Sequence, residues 1–175
     1  IVPAHNEAAS LELLAGRIRD VLEREGRTYE IIVVDDGSKD GSLDILRRMH
    51  DDDPRVRVRS LAFRHGKSAA LDCGFKAARG SIVVTMDADL QDLPEELPSL
   101  ILALETNELD LVQACRVERN DSRHKVLASW VFNRFCSLFS GLRLGDVNCG
   151  FKVIRRDVVR RLRLGDDMHR FIPIL

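Results

Sequence analysis

The chain has 175 residues, with 27 Lys and Arg against 28 Asp and Glu, and 45% hydrophobic but only 5% aromatic side chains. A globular domain of this size and composition buries roughly 70% of its unfolded surface, so it needs neither disulfides nor a structural metal to fold. The four cysteines form no Cys-x-x-Cys pair, which argues against a zinc module and for reduced, mostly buried thiols, and no apolar run reaches the roughly 20 residues that span a bilayer.

The first residues, Ile1-Val2-Pro3, resemble the last part of a buried strand. Leu11, Leu14, Ile18, Val21 and Leu22 then share one helical stripe. Residues 30–34 are a short apolar run that ends in Asp35-Asp36-Gly37, the pattern of a strand buried on both faces. A second helix is expected over 43–50, a period-two strand over 56–59, a third helix over 68–78 and another buried strand over 80–86. Pro94-Glu95-Glu96 suits the first turn of a helix, where proline and acids are favoured. A strand over 109–115, an amphipathic helix over 125–140, a strand over 151–154 and a short helix over 156–162 complete the pattern. Alternating β and α units predict an α/β fold with a mostly parallel sheet covered by helices on both faces, and a ligand site beyond the carboxyl ends of the strands. Both ends of the chain look cut, so it reads as a single domain from a longer protein, residues 1–175.

Charge divides this domain. Residues 1–115 carry 14 basic and 22 acidic side chains, whereas residues 116–175 carry 13 and 6. The second part is suited to anions. Few aromatics and no recognised binding motif argue against nucleic acid, leaving the phosphates of a small molecule or lipid.

The polar residues collect where strands end: Pro3-Ala4-His5-Asn6-Glu7, Asp35-Asp36-Gly37-Ser38 and Asp87-Ala88-Asp89-Leu90-Gln91-Asp92. Alone, the two aspartate stretches read more readily as a turn or a helix cap than as a ligand site, and Pro3 to Glu7 reads equally well as a capping loop. Together, in order, they place three acidic loops on one sheet edge, where a divalent cation with oxygen ligands relieves the repulsion. Asp87 and Asp89 are two apart, so in an extended segment both face one side.

These stretches, with Gly66-Lys67-Ser68-Ala69-Ala70-Leu71, Ala77-Ala78-Arg79-Gly80 and Asp146-Val147-Asn148-Cys149-Gly150-Phe151-Lys152, resemble the signatures of family 2 glycosyltransferases. The narrower likeness is to the branch that contains dolichol-phosphate mannose synthase and bacterial polyprenyl-phosphate glycosyltransferases. The resemblance implies a GT-A fold, a Rossmann-like three-layer α/β/α sandwich, with a nucleotide-sugar-binding part over about 1–115 and an acceptor-side part over about 116–175. It implies an inverting transfer of a sugar from a UDP- or GDP-sugar to dolichyl or undecaprenyl phosphate. Pro3, Ala4, Asn6, Glu7, Asp36, Lys67 and Asp87 are implied to bind the donor. Asp87, Asp89 and Gln91 are implied to hold Mg²⁺ or Mn²⁺. Asp89 and Asp146 take the catalytic roles, Asp146 beside the acceptor. Arg116, Arg119, Arg123, Lys125, Ser129 and Lys152 face the acceptor or diphosphate, where arginine makes bidentate phosphate contacts. The 125–140 helix reads either as one packed on the sheet or, through Trp130 and Phe135, as one that contacts a polyprenyl tail at the cytoplasmic face of a membrane. A homo-oligomer formed through a membrane segment outside this chain is a further expectation. Two alternatives stay open: a non-catalytic sugar-nucleotide-binding fragment, and a glycosyltransferase with a polysaccharide or other hydroxyl acceptor.

Overall fold

The computed structural model describes residues 1–115, 149–165 and 168–174. In chain order the elements are β1 (Val2–Ala4), α1 (Leu11–Arg24), β2 (Ile31–Asp35), α2 (Ser42–Asp52), β3 (Val56–Ser60), α3 (Lys67–Ala77) and β4 (Ile82–Thr85). A 3₁₀ turn (Pro94–Glu96) leads into α4 (Leu97–Thr106), followed by β5 (Leu111–Gln113), β6 (Lys152–Arg155), α5 (Arg156–Arg161) and a last 3₁₀ turn (Met168–Phe171).

The strands form two three-stranded sheets, a parallel β1-β2-β3 and an antiparallel β4-β6-β5. Two backbone hydrogen bonds join them: Ile1 N donates to the Val84 carbonyl at 2.6 Å, and Met86 N donates to the Ile1 carbonyl at 3.1 Å. One residue bracketed by two positions of its neighbour is the parallel pattern. The strands therefore run in the order β3-β2-β1-β4-β6-β5, with β1 to β5 pointing one way and β6 reversed. The expected mostly parallel sheet is present, and the antiparallel β6 is a feature that periodicity cannot reveal.

All five residues of β2 are buried, and alternate side chains serve opposite layers. Ile31 and Val33 join Leu11, Leu14, Ile18, Leu46 and Ile101 in a core shared with α1, α2 and α4. Ile32 and Val34 meet Ala70 of α3 on the other face. Farther along that face Leu71 and Phe75 pack with Val83, Ile154 and Val159 of α5. The result is three layers, α/β/α. The helix stripe read from the sequence is the buried face of α1, where Leu11, Leu14, Ile18 and Val21 are all covered.

The strand expected over 109–115 contracts to Leu111–Gln113. Among the described cysteines only Cys149 is buried, with Cys73 intermediate and Cys115 exposed, so the expectation of mostly buried thiols does not hold there. The helix expected over 125–140, with Trp130 and Phe135, lies outside the described residues. No helix among the described residues is long and apolar enough to cross a membrane.

Candidate functional site

β1, β2 and β4 all point their carboxyl ends at one edge, and the loops that follow them enclose a cleft of about 250 Å³. Pro3, Ala4, His5, Glu7, Asp36, Arg64, Gly66, Lys67, Asp87 and Asp89 line it. A larger cavity of about 490 Å³ opens at the opposite strand ends. Its two carboxylates, Glu30 and Glu105, are already held by Arg57 and Arg27, so the acidic chemistry belongs to the smaller cleft.

The first two loops are stitched together by side chains that bond backbone. Ser38 Oγ accepts from Asn6 N at 2.9 Å, Asn6 Oδ1 accepts from Lys39 N at 2.8 Å, and Ser42 Oγ accepts from Glu7 N at 3.0 Å. Asn6 sits at φ +59°, a left-handed value that asparagine tolerates. That turn sends its side chain to the 38–40 loop, and Asn6 is not among the residues lining the cleft.

Asp35 and Asp36 have different tasks. Asp35 is buried and accepts from Ser38 N and Ser60 Oγ, both at 3.3 Å, closing the turn. Asp36 faces the cleft, 4% exposed, and its two oxygens accept from His65 N at 2.6 Å and Gly66 N at 2.8 Å. The carboxylate thus anchors the loop that opens α3. Gly37 is required beside it: at φ +67°, an added Cβ would stand 2.6 Å from the Phe63 backbone carbon.

The segment after β4 is a turn rather than an extended clip. Asp87 is partly buried, Ala88 is 4% exposed in the core, and Asp89 is exposed at the mouth, accepting from Gln91 N at 3.1 Å. Leu90 takes φ +62° to make the reversal. Asp87 Oδ1 pairs with Lys67 Nζ at 2.5 Å, and Asp87 N donates to Asp92 Oδ2 at 3.0 Å. The carboxylate rests on Gly150, where an added Cβ would lie 2.6 Å from both of its oxygens. Thr85 Oγ1 donates to the Gly150 carbonyl at 2.6 Å and fixes that backbone.

Of the expected donor-binding and metal residues, the structure brings Pro3, Ala4, Glu7, Asp36, Lys67, Asp87 and Asp89 to one cleft, while Asn6 and Gln91 do not line it. Lys152 was expected to face acceptor phosphate. It is instead buried, 3% exposed, donating to the Cys149 carbonyl; burial pushes its ammonium down to about 8. The reason is its register opposite Thr85 inside the sheet. Asp146, Arg116, Arg119, Arg123, Lys125 and Ser129 lie outside the described residues.

Sequence reasoning assigned no role to Arg64, Asp92 or Gly150. The signal for Asp92 was present as the third aspartate of its motif, but its burial and its bond to the Asp87 amide are tertiary facts.

No three His, Cys, Asp or Glu side chains converge among the described residues. Asp87 and Asp89 therefore offer two hard oxygen groups, a donor set that fits a divalent cation completed by a ligand's phosphate oxygens.

A sequence profile described as glycosyl transferase family 2 matches residues 1–163. The chain is 34% identical, over 99% of its length, to the dodecaprenyl-phosphate galacturonate synthase of Rhizobium johnstonii, covering 52% of that protein. It is 35% identical, over its full length, to the undecaprenyl-phosphate 4-deoxy-4-formamido-L-arabinose transferase of Aeromonas hydrophila, covering 54%. The chain thus spans about half the length of these curated relatives. Among solved structures, the glucosyl-3-phosphoglycerate synthase of Mycobacterium tuberculosis with Mn²⁺ and UDP-glucose superposes with a TM-score of 0.69 at 25% identity. That match covers 93% of this chain and 57% of the other.

Proposed function

Because the chain belongs to glycosyl transferase family 2, we propose that it is the donor-binding portion of an inverting transferase that moves a sugar from a UDP- or GDP-sugar to a polyprenyl phosphate. The observation that carries this reading is the convergence of Pro3, Glu7, Asp36, Lys67, Asp87 and Asp89 on one cleft at the strand ends. The named polyprenyl-phosphate relatives support the acceptor class, and the Mn²⁺ and UDP-glucose of the solved relative support the donor class.

In this reading the nucleoside lies along residues 3–7 with its base near Asp36. Each Asp36 oxygen accepts one backbone amide and keeps a second lone pair. That leaves it able to accept the imide N–H of uracil or guanine. The diphosphate lies at the amino end of α3, since a helix amino terminus favours anions. There Lys67 places a positive charge where the leaving group gains a negative one. Mg²⁺ or Mn²⁺ bound by Asp87 and Asp89 would supply further charge stabilisation to the departing diphosphate. Direct displacement inverts the anomeric carbon. A phosphate acceptor, with a second pKa near ~6, is already largely ionised at neutral pH, so Asp146 orients it rather than deprotonating it. Arg116, Arg119, Arg123, Lys125 and Ser129 hold the acceptor phosphate, and the site works at the cytoplasmic face of a membrane.

The test is transfer of radiolabelled sugar from a panel of UDP- and GDP-sugars to undecaprenyl or dolichyl phosphate with Mg²⁺ or Mn²⁺. Metal-dependent lipid product that disappears in Asp89→Ala is the expected result. Transfer only to a soluble or polysaccharide acceptor would overturn the acceptor assignment, and absence of metal-dependent nucleotide binding would overturn the site.

A further inference from the structure

Four carboxylates line the cleft at the strand ends, Glu7, Asp36, Asp87 and Asp89, against two strong cations, Arg64 and Lys67. An anionic ligand entering it meets more like charge than unlike, so the engagement of each cation decides how well the ligand is held. Lys67 is engaged, with its ammonium 2.5 Å from Asp87 Oδ1. Arg64 is exposed, and it makes no hydrogen bond or ion pair among the described residues.

Most exposed arginines are only solvated surface charges. Arg64 differs in how its backbone is held. On the amino side, the Phe63 carbonyl carbon and Arg64 N press against Gly37, where an added Cβ would stand 2.6 and 2.8 Å from them. On the carboxyl side, Asp36 accepts the amides of His65 at 2.6 Å and Gly66 at 2.8 Å. The Phe63 and His65 rings stack on each other, with centroids 4.1 Å apart. The neighbours of Arg64 are thus occupied, and its guanidinium is carried to the cleft by a fixed stretch of the loop that opens α3.

We propose that Arg64 is a donor-binding residue that grips the diphosphate of the nucleotide sugar through its guanidinium. The inference rests on the assignment of this cleft to a nucleotide-sugar donor. A guanidinium presents parallel N–H groups that match two oxygens of a phosphate. Carried on an anchored backbone, it gives up less freedom on binding than a side chain on a loose loop. With Lys67 already on Asp87, Arg64 supplies a direct cationic contact that does not pass through a divalent ion. A rim charge that only draws anions toward the cleft acts through its field, and salt removes that effect. A charge in contact with the ligand keeps its effect in salt.

The experiment measures the dissociation constants of UDP and GDP with Mn²⁺ by calorimetric titration at about 0.15 M and about 0.5 M salt. Uridine and guanosine are measured by their displacement of the diphosphates, and circular dichroism verifies folding. Arg64→Gln is expected to weaken the diphosphate roughly tenfold at both salt concentrations, the scale of one charge-assisted hydrogen bond, and to leave the nucleoside unchanged. Arg64→Lys, which keeps the charge but not the planar fork, is expected to recover only part of the loss. Unchanged diphosphate affinity in Arg64→Gln, a loss that disappears at the higher salt, an equal loss for the nucleoside, or full recovery in Arg64→Lys overturns the proposal. Asp36→Ala serves as the control for the cleft. If the wild type binds neither UDP nor GDP, or Asp36→Ala binds them as the wild type does, the cleft assignment falls and this inference with it. If Asp36→Ala weakens binding while Arg64→Gln does not, only this inference falls.

Discussion

Gly150 shows how a single residue away from the acidic loops controls them. Its missing side chain is the space that the Asp87 carboxylate occupies, since a Cβ there would come within 2.6 Å of both oxygens. The neighbour cannot yield freely, because Lys67 holds Oδ1 from the other side and the Asp87 amide is bonded to Asp92. Gly150→Ala is therefore expected to weaken Mn²⁺ and nucleotide binding by roughly ten- to hundredfold, the range for displaced support around a metal ligand, as measured by calorimetric titration. Gly16 is the opposite case. It lies within α1, and an added Cβ meets only the far end of Arg19 at 3.9 Å. Gly16→Ala should stabilise the domain by about 0.5–1 kcal/mol in urea unfolding, through helix propensity and a less flexible unfolded chain.

At the scale of elements, α1 supports the site indirectly, by its apolar face and by two arginine pairs. Leu14 is 1% exposed in the core that carries β1 and β2. Leu14→Ala is expected to cost about 2–5 kcal/mol by chemical denaturation, because the core it belongs to is drawn from three helices and four strands that cannot all close the cavity. Arg17 pairs with Glu95 of the 3₁₀ turn and Arg27 with Glu105 of α4, each through two parallel hydrogen bonds. Both pairs are exposed enough that salt screens them, so their contribution is orientation of α4 more than stability. The loop that opens α3 depends on one side chain. Asp36→Ala removes both acceptors of the His65 and Gly66 amides. It should raise the nucleotide dissociation constant and speed amide hydrogen exchange at residues 64–67, while leaving exchange in α4 unchanged.

The whole molecule has an acid limit that follows from its carboxylates. The Glu95 and Glu105 carboxyls are held below the usual range by the Arg17 and Arg27 guanidinium groups. At Glu30, burial pushes upward, and the Arg79 amide and the Arg57 guanidinium outweigh it, so that this carboxyl too is lowered. A carboxyl with a lower pKa folded than unfolded stabilises the fold above the unfolded value, near ~4.3 for Glu, and that stabilisation is lost as pH falls through the folded value. The melting temperature should thus be level near neutrality and decline below about pH 5. Glu30→Gln is expected to make that decline shallower, and an unchanged slope in that variant would remove Glu30 from the account. The two ends of the sheet also differ in kind: the cavity at the amino ends of the strands is lined by carboxylates already paired with arginine, whereas the cleft at the carboxyl ends presents Asp89 to solvent.

The local pattern of the chain determined the buried face of α1, the doubly buried β2, the α/β alternation and the three acidic loops at strand ends, since each depends on spacing between near neighbours. Pro3, Glu7, Asp36, Asp87 and Asp89 were legible as a group for the same reason: a parallel sheet must bring the ends of its strands together. The tertiary structure alone decided which carboxylate does what. Asp35 and Asp36 are adjacent in sequence, yet one closes a turn and the other faces the cleft, because strand alternation sends them to opposite sides. It also reversed β6, and so carried Lys152 from an expected surface position to a buried one opposite Thr85. Register between strands far apart in the chain is settled by packing across the sheet, and no local spacing encodes it.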